Sequence, residues 1–305
     1  MNIFRKILQI LFLLPIPVLL LIFPSQTLEY AKKGLIIWYQ NMIPALLPMM
    51  IISGCMIKLN LTGILVSLIH PITKWIFHLS KNGTYAMIIG FLCGFPMGSK
   101  VICEMYSQNK ISKEEAEILL PVCNNIGPVY LLTYGLNMLE SKHIFSLIIL
   151  FYVIPLVYAF FMLKTKHFSE RNYTKNNKLS FSLALDTSIS ESASSMLSLA
   201  GYLIIFNIYI MIPMDIFPLS NSVSVLFACL LEITNGLSYP SALPPYIYLS
   251  LLQFGGLCCF FQTQKFVLKT NLGFKNYVFK KILLSFITLV FFYICYDVFF
   301  VGFHV

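Results

Sequence analysis

The sequence predicts an all-α polytopic membrane protein with inverted repeats, two re-entrant helical hairpins and broken transmembrane helices. Three observations predict this class: a very apolar composition, a repeated order of interrupted apolar segments, and basic residues concentrated on one side. Of the 305 residues, 58% are hydrophobic and 11% are charged, whereas soluble domains carry about 25% charged residues. So few charges cannot cover a water-facing surface, which excludes a soluble enzyme, a disordered scaffold and a nucleic-acid-binding module.

Apolar segments of membrane-spanning length recur along the chain. A spanning helix needs about 20 mostly apolar residues, and clear candidates occupy residues 7–23, 41–57, 144–163, 196–214, 244–264 and 282–300. Three further apolar segments are interrupted: 85–107 by GFPMGSK, 116–138 by CNNIGP and 222–239 by EITNG. We interpret 85–107 and 222–239 as re-entrant hairpins, which leaves seven full spans.

The order of these segments predicts four units. Residues 1–40 form an N-terminal signal-anchor helix and connector, 41–163 a first repeat, 164–180 a polar cytoplasmic linker and 181–305 a second repeat. Each repeat runs span, hairpin, broken span and plain span. A four-part order that occurs twice is typical of transporter folds built from repeats.

The basic residues predict the orientation. With a cytoplasmic N-terminus and two re-entrant hairpins, 17 of the 21 Lys and Arg residues lie on the cytoplasmic side. Only Lys32, Lys33 and Lys142 lie opposite, and Lys100 stays inside a hairpin. The positive-inside rule expects such a split, so the net charge of +9 is explained by orientation. The same assignment starts the two repeats on opposite sides, which makes them inverted.

The interruptions predict one central substrate site. Backbone that leaves helical form at membrane depth must be buried in protein or face a watery cavity, and four breaks occur at matching places in the two repeats. The candidate substrate-binding residues are Gly94, Pro96, Gly98, Ser99, Lys100, Asn124, Asn125, Glu232, Thr234, Asn235, Gln253, Gly255 and Gly256. The alternative is that Gly and Pro are common in membrane helices and that the amides join helices.

Two charged residues in the hairpins strengthen this hypothesis, because charge within a membrane is costly and commonly functional. We expect Lys100 and Glu232 to lie at facing hairpin tips in one cavity with Asn124, Asn125 and Gln253. In the alternative, Lys100 pairs locally with Glu104, four residues later, and Glu232 reaches the surface.

The sequence gives no case for an enzyme, and we expect no cofactor and no metal. The eight cysteines lie in apolar segments, the five histidines lack metal-ligand spacing, and the chain has no Walker loop or GxSxG elbow. The expected partners are a small-molecule solute and the lipid bilayer, with no nucleic acid. The sequence leaves open the coupling ion and whether the protein forms a homo-oligomer.

Four ordered motifs carry a family resemblance: GFPMGSK at 94–100, EEAEILLPVCNN at 114–125, LEITNG at 231–236 and FGGLCCFFQTQ at 254–264. They resemble sporulation integral membrane proteins of the YlbJ (SpoVV) type, whose core is the nucleoside-recognition Gate domain. The resemblance covers roughly residues 40–280 and implies a fold like that of concentrative nucleoside transporters.

The resemblance also implies a location and a solute. Such proteins belong to the outer forespore membrane of endospore-forming bacteria, or to the cell membrane, and serve uptake of dipicolinate, a small aromatic dianion. Lys100 near half-helix N-termini would suit such an anion. The alternatives are a transporter or sensor of a nucleoside or another small solute, and a non-transporting structural membrane protein of sporulation.

Overall fold

The computed structural model describes residues 2–132, 144–166, 168, 179–217, 219–239 and 242–296, and the regular elements in these ranges are all helices. The first part of the chain forms α1 (Asn2–Leu13), α2 (Pro15–Ile22), α3 (Pro24–Ile36), α4 (Ile43–Lys58), α5 (Thr62–Leu65), α6 (His70–Phe77), α7 (Lys81–Cys93), α8 (Met97–Ser107), α9 (Lys113–Cys123), α10 (Pro128–Tyr130) and α11 (Ile144–Leu163). The second part forms α12 (Phe181–Met211), α13 (Asn221–Leu231), α14 (Ile233–Gly236), α15 (Pro245–Phe254), α16 (Gly256–Val267) and α17 (Phe274–Ile294).

Four helical stretches of the described chain are long and apolar enough to cross a membrane. They are Pro24–Lys58, Phe145–Leu163, Phe181–Ile216 and Phe274–Ile294. Large apolar side chains stand exposed on them, Phe145 and Ile294 among others, and apolar surface of this extent suits lipid rather than water. The structure therefore agrees with an all-helical membrane protein, while the total number of crossings stays a prediction.

Two of these stretches are much longer than the spans predicted at 41–57 and 196–214. Pro24–Lys58 continues from α3 to α4 through a π-helical turn, and Phe181–Ile216 extends α12 in the same way. At 1.5 Å per residue each is more than 50 Å long, so it extends beyond a hydrocarbon core of about 30 Å. The predicted connector before residue 41 is helical because it is rich in helix-forming residues.

The N-terminal segment also differs from the prediction of one helix over 7–23. It is divided into α1 and α2 at Pro15, and the chain turns at Phe23, where φ is −127° and ψ is 58°. Proline lacks the amide hydrogen that a continuous helix needs, and Pro15 and Pro24 therefore each begin a new helix.

The two long stretches pack against each other and run antiparallel. A Cβ on Gly34 would lie 2.8 Å from Leu203 O, and one on Gly54 would lie 3.2 Å from Ser188 Oγ. Gly34 precedes Gly54 in the chain, whereas its partner Leu203 follows Ser188, so the two stretches run antiparallel. Small residues permit this close approach of two helices.

The predicted interruptions are present as helix ends. α7 ends before Gly94, α9 at Asn124, α13 at Glu232 and α15 at Gly255. Of the helices on either side, α7, α8, α9, α13, α15 and α16 have 10 to 13 residues and α14 has four, so none of these is long enough to cross a bilayer alone.

Some predicted features lie outside the described residues. These are Lys142, most of the linker 164–180 with Arg171, Lys175 and Lys178, and the last parts of the segments predicted at 116–138 and 282–300.

Candidate functional site

The first hairpin tip packs directly on the break that follows it. Between α7 and α8 the chain turns at Gly94, Phe95 and Pro96, and Phe95 N donates a 2.7 Å hydrogen bond to Asn125 O. Gly94 has φ +74° and ψ −160°, a combination that only glycine adopts readily. A Cβ there would lie 2.2 Å from Gly127 N, so the two backbones are in contact.

Gly98 and Ser99, which follow on α8, extend this contact. A Cβ on Gly98 would lie 2.3 Å from Cys123 O, and Ser99 N donates a 3.4 Å hydrogen bond to Asn124 Oδ1. The Ser99 hydroxyl donates back to Pro96 O at 2.7 Å. The first turn of α8 is thereby held against the end of α9.

The second hairpin tip packs on the second break in a similar way. Gly255 and Gly256 both have positive φ, +91° and +76°, and separate α15 from α16. A Cβ on Gly256 would lie 3.1 Å from Cys229 O and 3.3 Å from Ile233 N. Glycine suits both positions because it adopts positive φ without strain, and at Gly256 the backbone of the tip also lies close.

Two contacts join the two halves of the chain near the hairpin tips. A Cβ on Gly255 would lie 2.4 Å from Cζ of Phe95, and Gln253 Nε2 donates a 2.9 Å hydrogen bond to Asn125 Oδ1. Both hairpin tips and both breaks therefore meet in one region of the fold.

The two adjacent asparagines join α9 to the second half. Asn124 Nδ2 donates to Thr263 Oγ1 at 2.8 Å and to Tyr277 OH at 2.9 Å. Asn125 accepts from Gln253, as described above. These buried bonds are what amides that hold membrane helices together are expected to form.

Glu232 is buried and caps α14. Its Oε1 accepts from Thr234 N at 3.1 Å, and its Oε2 accepts from Thr234 Oγ1 at 2.6 Å and from Asn235 N at 2.8 Å. Asn235 Nδ2 in turn donates a 2.6 Å hydrogen bond to Asn207 Oδ1 on α12. The carboxylate therefore serves a helix N-terminus, where negative charge is favoured, and does not reach the surface.

A cavity of about 340 Å³, here called the central cavity, lies beside this region. Its wall is mostly apolar and includes Phe95, while Glu232, Thr234, Gln262 and Asn41 contribute polar groups. Small-molecule sites commonly have volumes of about 300 to 1,000 Å³ and such a lining, so a small solute could fit here.

A second cavity, here called the lysine cavity, has a volume of about 560 Å³. Its charged wall consists of Lys58, Lys100, Lys265, Lys269, Glu104 and Glu191, and four serines line it as well. Only Lys58 and Glu191 form an ion pair among these six, at 2.8 Å. The excess of lysine makes this cavity suitable for a small anion.

Lys100 lies in the wall of the lysine cavity and not with Glu232 in the central cavity. Its Nζ is 3.4 Å from Ser192 Oγ, and its side chain is nearly buried. The ion pairs of the described residues do not include one between Lys100 and Glu104. The structure therefore does not bring Lys100 and Glu232 into one cavity as expected: Lys100, on α8, lines one cavity, whereas Glu232 and Phe95 of the hairpin tip line the other.

The same helices line both cavities. On α12, Leu199 lines the central cavity and Ser195 the lysine cavity; on α16, Gln262 and Lys265 do the same. These pairs are about one helical turn apart, so the cavities lie end to end along the two helices.

Sequence reasoning missed Lys281, which it placed in a cytoplasmic loop. Lys281 lies on α17 and is fully buried, with Nζ 3.0 Å from Asn124 O and 2.8 Å from Asn125 Oδ1. The signal was the helical spacing of Tyr277, Lys281 and Leu284, which places the lysine on the buried face. The described residues contain no group of three or more His, Cys, Asp or Glu side chains that could hold a metal.

Comparison with known proteins supports the resemblance. Over 108 residues, the chain is 30% identical to the sporulation integral membrane protein YlbJ of Bacillus subtilis strain 168. The chain resembles a YlbJ-type protein. The match covers 35% of this chain and about a quarter, 26%, of that relative's length. No protein-family model and no solved structure matches the chain.

Proposed function

We propose that this protein is a membrane transporter of a small anionic solute, with dipicolinate moving across the outer forespore membrane during sporulation as the favoured case. The observation that carries the proposal is the lysine cavity, placed end to end with the central cavity along α12 and α16. Two neighbouring cavities along the same helices are what a solute path would require, and four lysines beside two glutamates favour an anion.

The helix arrangement supports a transporter built from inverted repeats. A long helix, a hairpin, a broken helix and a plain helix occur in this order in each half. The two long helices are antiparallel, as expected if the halves have opposite orientations. α7 and α8 have 13 and 11 residues, about 20 and 17 Å at 1.5 Å per residue, which favours a re-entrant hairpin.

Dipicolinate is favoured by chemistry and by resemblance. Its two carboxylates need cationic or amide donors, and the lysine cavity offers ammonium groups and hydroxyls at a volume suited to small molecules. The similarity to a sporulation integral membrane protein supports a role in sporulation. The specific solute rests on the family resemblance.

A neutral solute such as a nucleoside is the second candidate. The observation that favours it is the central cavity, which is mostly apolar and holds the Glu232 carboxylate. A nucleoside could stack on Phe95 and donate hydrogen bonds to Glu232. Competition separates the two: excess nucleoside should not reduce dipicolinate uptake if the anion is the solute.

The contacts of the lysines support the predicted orientation. Lys58 and Lys265 share the lysine cavity, Lys110 donates a hydrogen bond to Ile57 O, and Lys166 pairs with Glu114 at the start of α9. These basic residues therefore gather at one end of the fold, which the positive-inside rule assigns to the cytoplasm.

Cysteine labelling tests this orientation. In a cysteine-free background, Lys113→Cys should react only with reagent that reaches the cytoplasmic side, and Lys32→Cys only with reagent outside. Both lysines are exposed on the surface of the protein, so packing against other residues does not block their reaction. Reaction of both from one side would contradict the inverted topology.

Deletion of the gene tests the solute. Spores of the deletion strain should contain far less dipicolinate than wild-type spores, and a plasmid copy should restore it. Dipicolinate is measured in released spore contents after matched sporulation. A normal content in deletion spores would remove dipicolinate as the solute.

A further inference from the structure

Lys281 is a fully buried lysine in the region where the four breaks meet. Its ammonium donates to two oxygens, Asn124 O and Asn125 Oδ1, and lies 5.0 Å from the centre of the Phe95 ring. The ion pairs found among the described residues do not include Lys281. Its charge is therefore balanced by carbonyl and amide oxygens and by an aromatic face, which attracts cations.

These partners make up a binding site of the kind that metal cations use. Asn124 follows the last residue of α9, so its carbonyl lies at the negative end of a helix dipole. Carbonyls of unwound backbone at helix ends coordinate the driving cation in many secondary transporters. Gln253 places a further amide oxygen, Oε1, beside Asn125, and this buried atom has no hydrogen-bond partner among the described residues.

We propose that the Lys281 ammonium is a built-in cation at the Asn124 and Asn125 oxygens, where the breaks meet. It occupies the place that a sodium or potassium ion would take. The native protein then needs neither ion at this position. The proposal extends the proposed transport function by naming the cation of the site, but its first test requires no transport.

The neighbouring lysine shows what an ordinary contact between a lysine and a helix carbonyl looks like here. Lys280 also donates to a backbone carbonyl of α9, Glu117 O, at 3.1 Å, but it is only partly buried and lies away from the breaks. Lys281 differs from it in full burial, in a second oxygen partner and in the aromatic face of Phe95. A capping role alone would not require these additional features.

Thermal unfolding of the purified full chain in detergent tests the proposal. Wild type should unfold at the same temperature in sodium, potassium and N-methylglucamine chloride of equal ionic strength. Lys281→Ala should unfold about 5 °C lower in N-methylglucamine chloride, because two buried oxygens each lose a charged donor. Sodium or potassium should recover a measurable part of that loss by binding to the vacated oxygens.

The matched control is Lys280→Ala, which should show no selective response to either ion. Equal stabilisation of wild type and Lys281→Ala by sodium or potassium would overturn the proposal, since the ions would then bind at a place that the Lys281 ammonium does not occupy. A Lys281→Ala protein that responds to neither ion would also overturn it. If the Lys281→Ala protein does not reach the membrane, Lys281→Ser is tested instead. Because the readout uses no solute, failure here leaves the transport proposal to be judged by its own uptake tests.

Discussion

Replacing Lys100 by methionine should reduce dipicolinate accumulation about tenfold or more while the protein stays in the membrane at normal abundance. Methionine keeps the length and the apolar stem of the side chain, which is nearly buried in the wall of the lysine cavity. A hydrogen bond to a charged group contributes about 1.5 to 3 kcal/mol. Its loss should weaken anion binding roughly tenfold to hundredfold.

The control for this variant is Lys113→Met, which removes an exposed lysine outside the cavity. It should leave accumulation unchanged. Lys100→Arg should retain part of the activity if charge alone matters, and none if the wall is tight, because a planar guanidinium replaces a compact ammonium. Normal accumulation in spores that carry Lys100→Met would remove Lys100 from the mechanism.

Replacing Gly94 by alanine should strongly destabilise the protein. A Cβ there would lie 2.2 Å from Gly127 N and 2.9 Å from Asn125 O, and backbone atoms cannot yield as side chains do. The backbone conformation adds about 1 to 3 kcal/mol for any residue other than glycine, and overpacking adds about 1 to 3 kcal/mol. We expect a large fall in membrane abundance and in the unfolding temperature in detergent.

Gly201→Ala is the matched control. Gly201 lies within α12, and a Cβ there would meet nothing within 4 Å. Alanine should therefore stabilise this helix by about 0.5 to 1 kcal/mol. Equal stability of the Gly94→Ala and Gly201→Ala proteins would show that the tip and the break do not pack as described.

The helix breaks could be predicted because their causes are local. Gly94 and Pro96 interrupt a helix by backbone geometry alone, and Gly255 and Gly256 do so in the second half. Their positions in the sequence therefore placed the ends of α7 and α15 correctly.

The lengths of the long helices could not be predicted from apolar composition. The chain before residue 41 and the serine-rich start of α12 are too polar to count as membrane spans, yet both are helical. Ser180 caps α12, its Oγ accepting from Leu183 N at 3.3 Å, and Glu29 pairs with Lys33 at 3.1 Å on α3. Capping and pairs four residues apart support helix independently of hydrophobicity.

The location of the charges depended on tertiary structure. Lys100 and Glu232 both follow helix breaks, so position in the repeats alone suggested a shared cavity. The fold separates them, since Phe95 of the hairpin tip lines the central cavity with Glu232, whereas Lys100, on α8, lines the lysine cavity. Lys281 was assigned to a loop because two adjacent lysines, Lys280 and Lys281, are typical of the polar end of a membrane helix. In the structure Lys281 lies on the buried face of α17.

Uptake of labelled dipicolinate into liposomes that contain the purified protein tests the central claim most directly. We expect accumulation above that of protein-free liposomes, and about tenfold less or lower still in liposomes that contain the Lys100→Met protein at equal density. Folded wild-type protein that moves no dipicolinate would contradict the account.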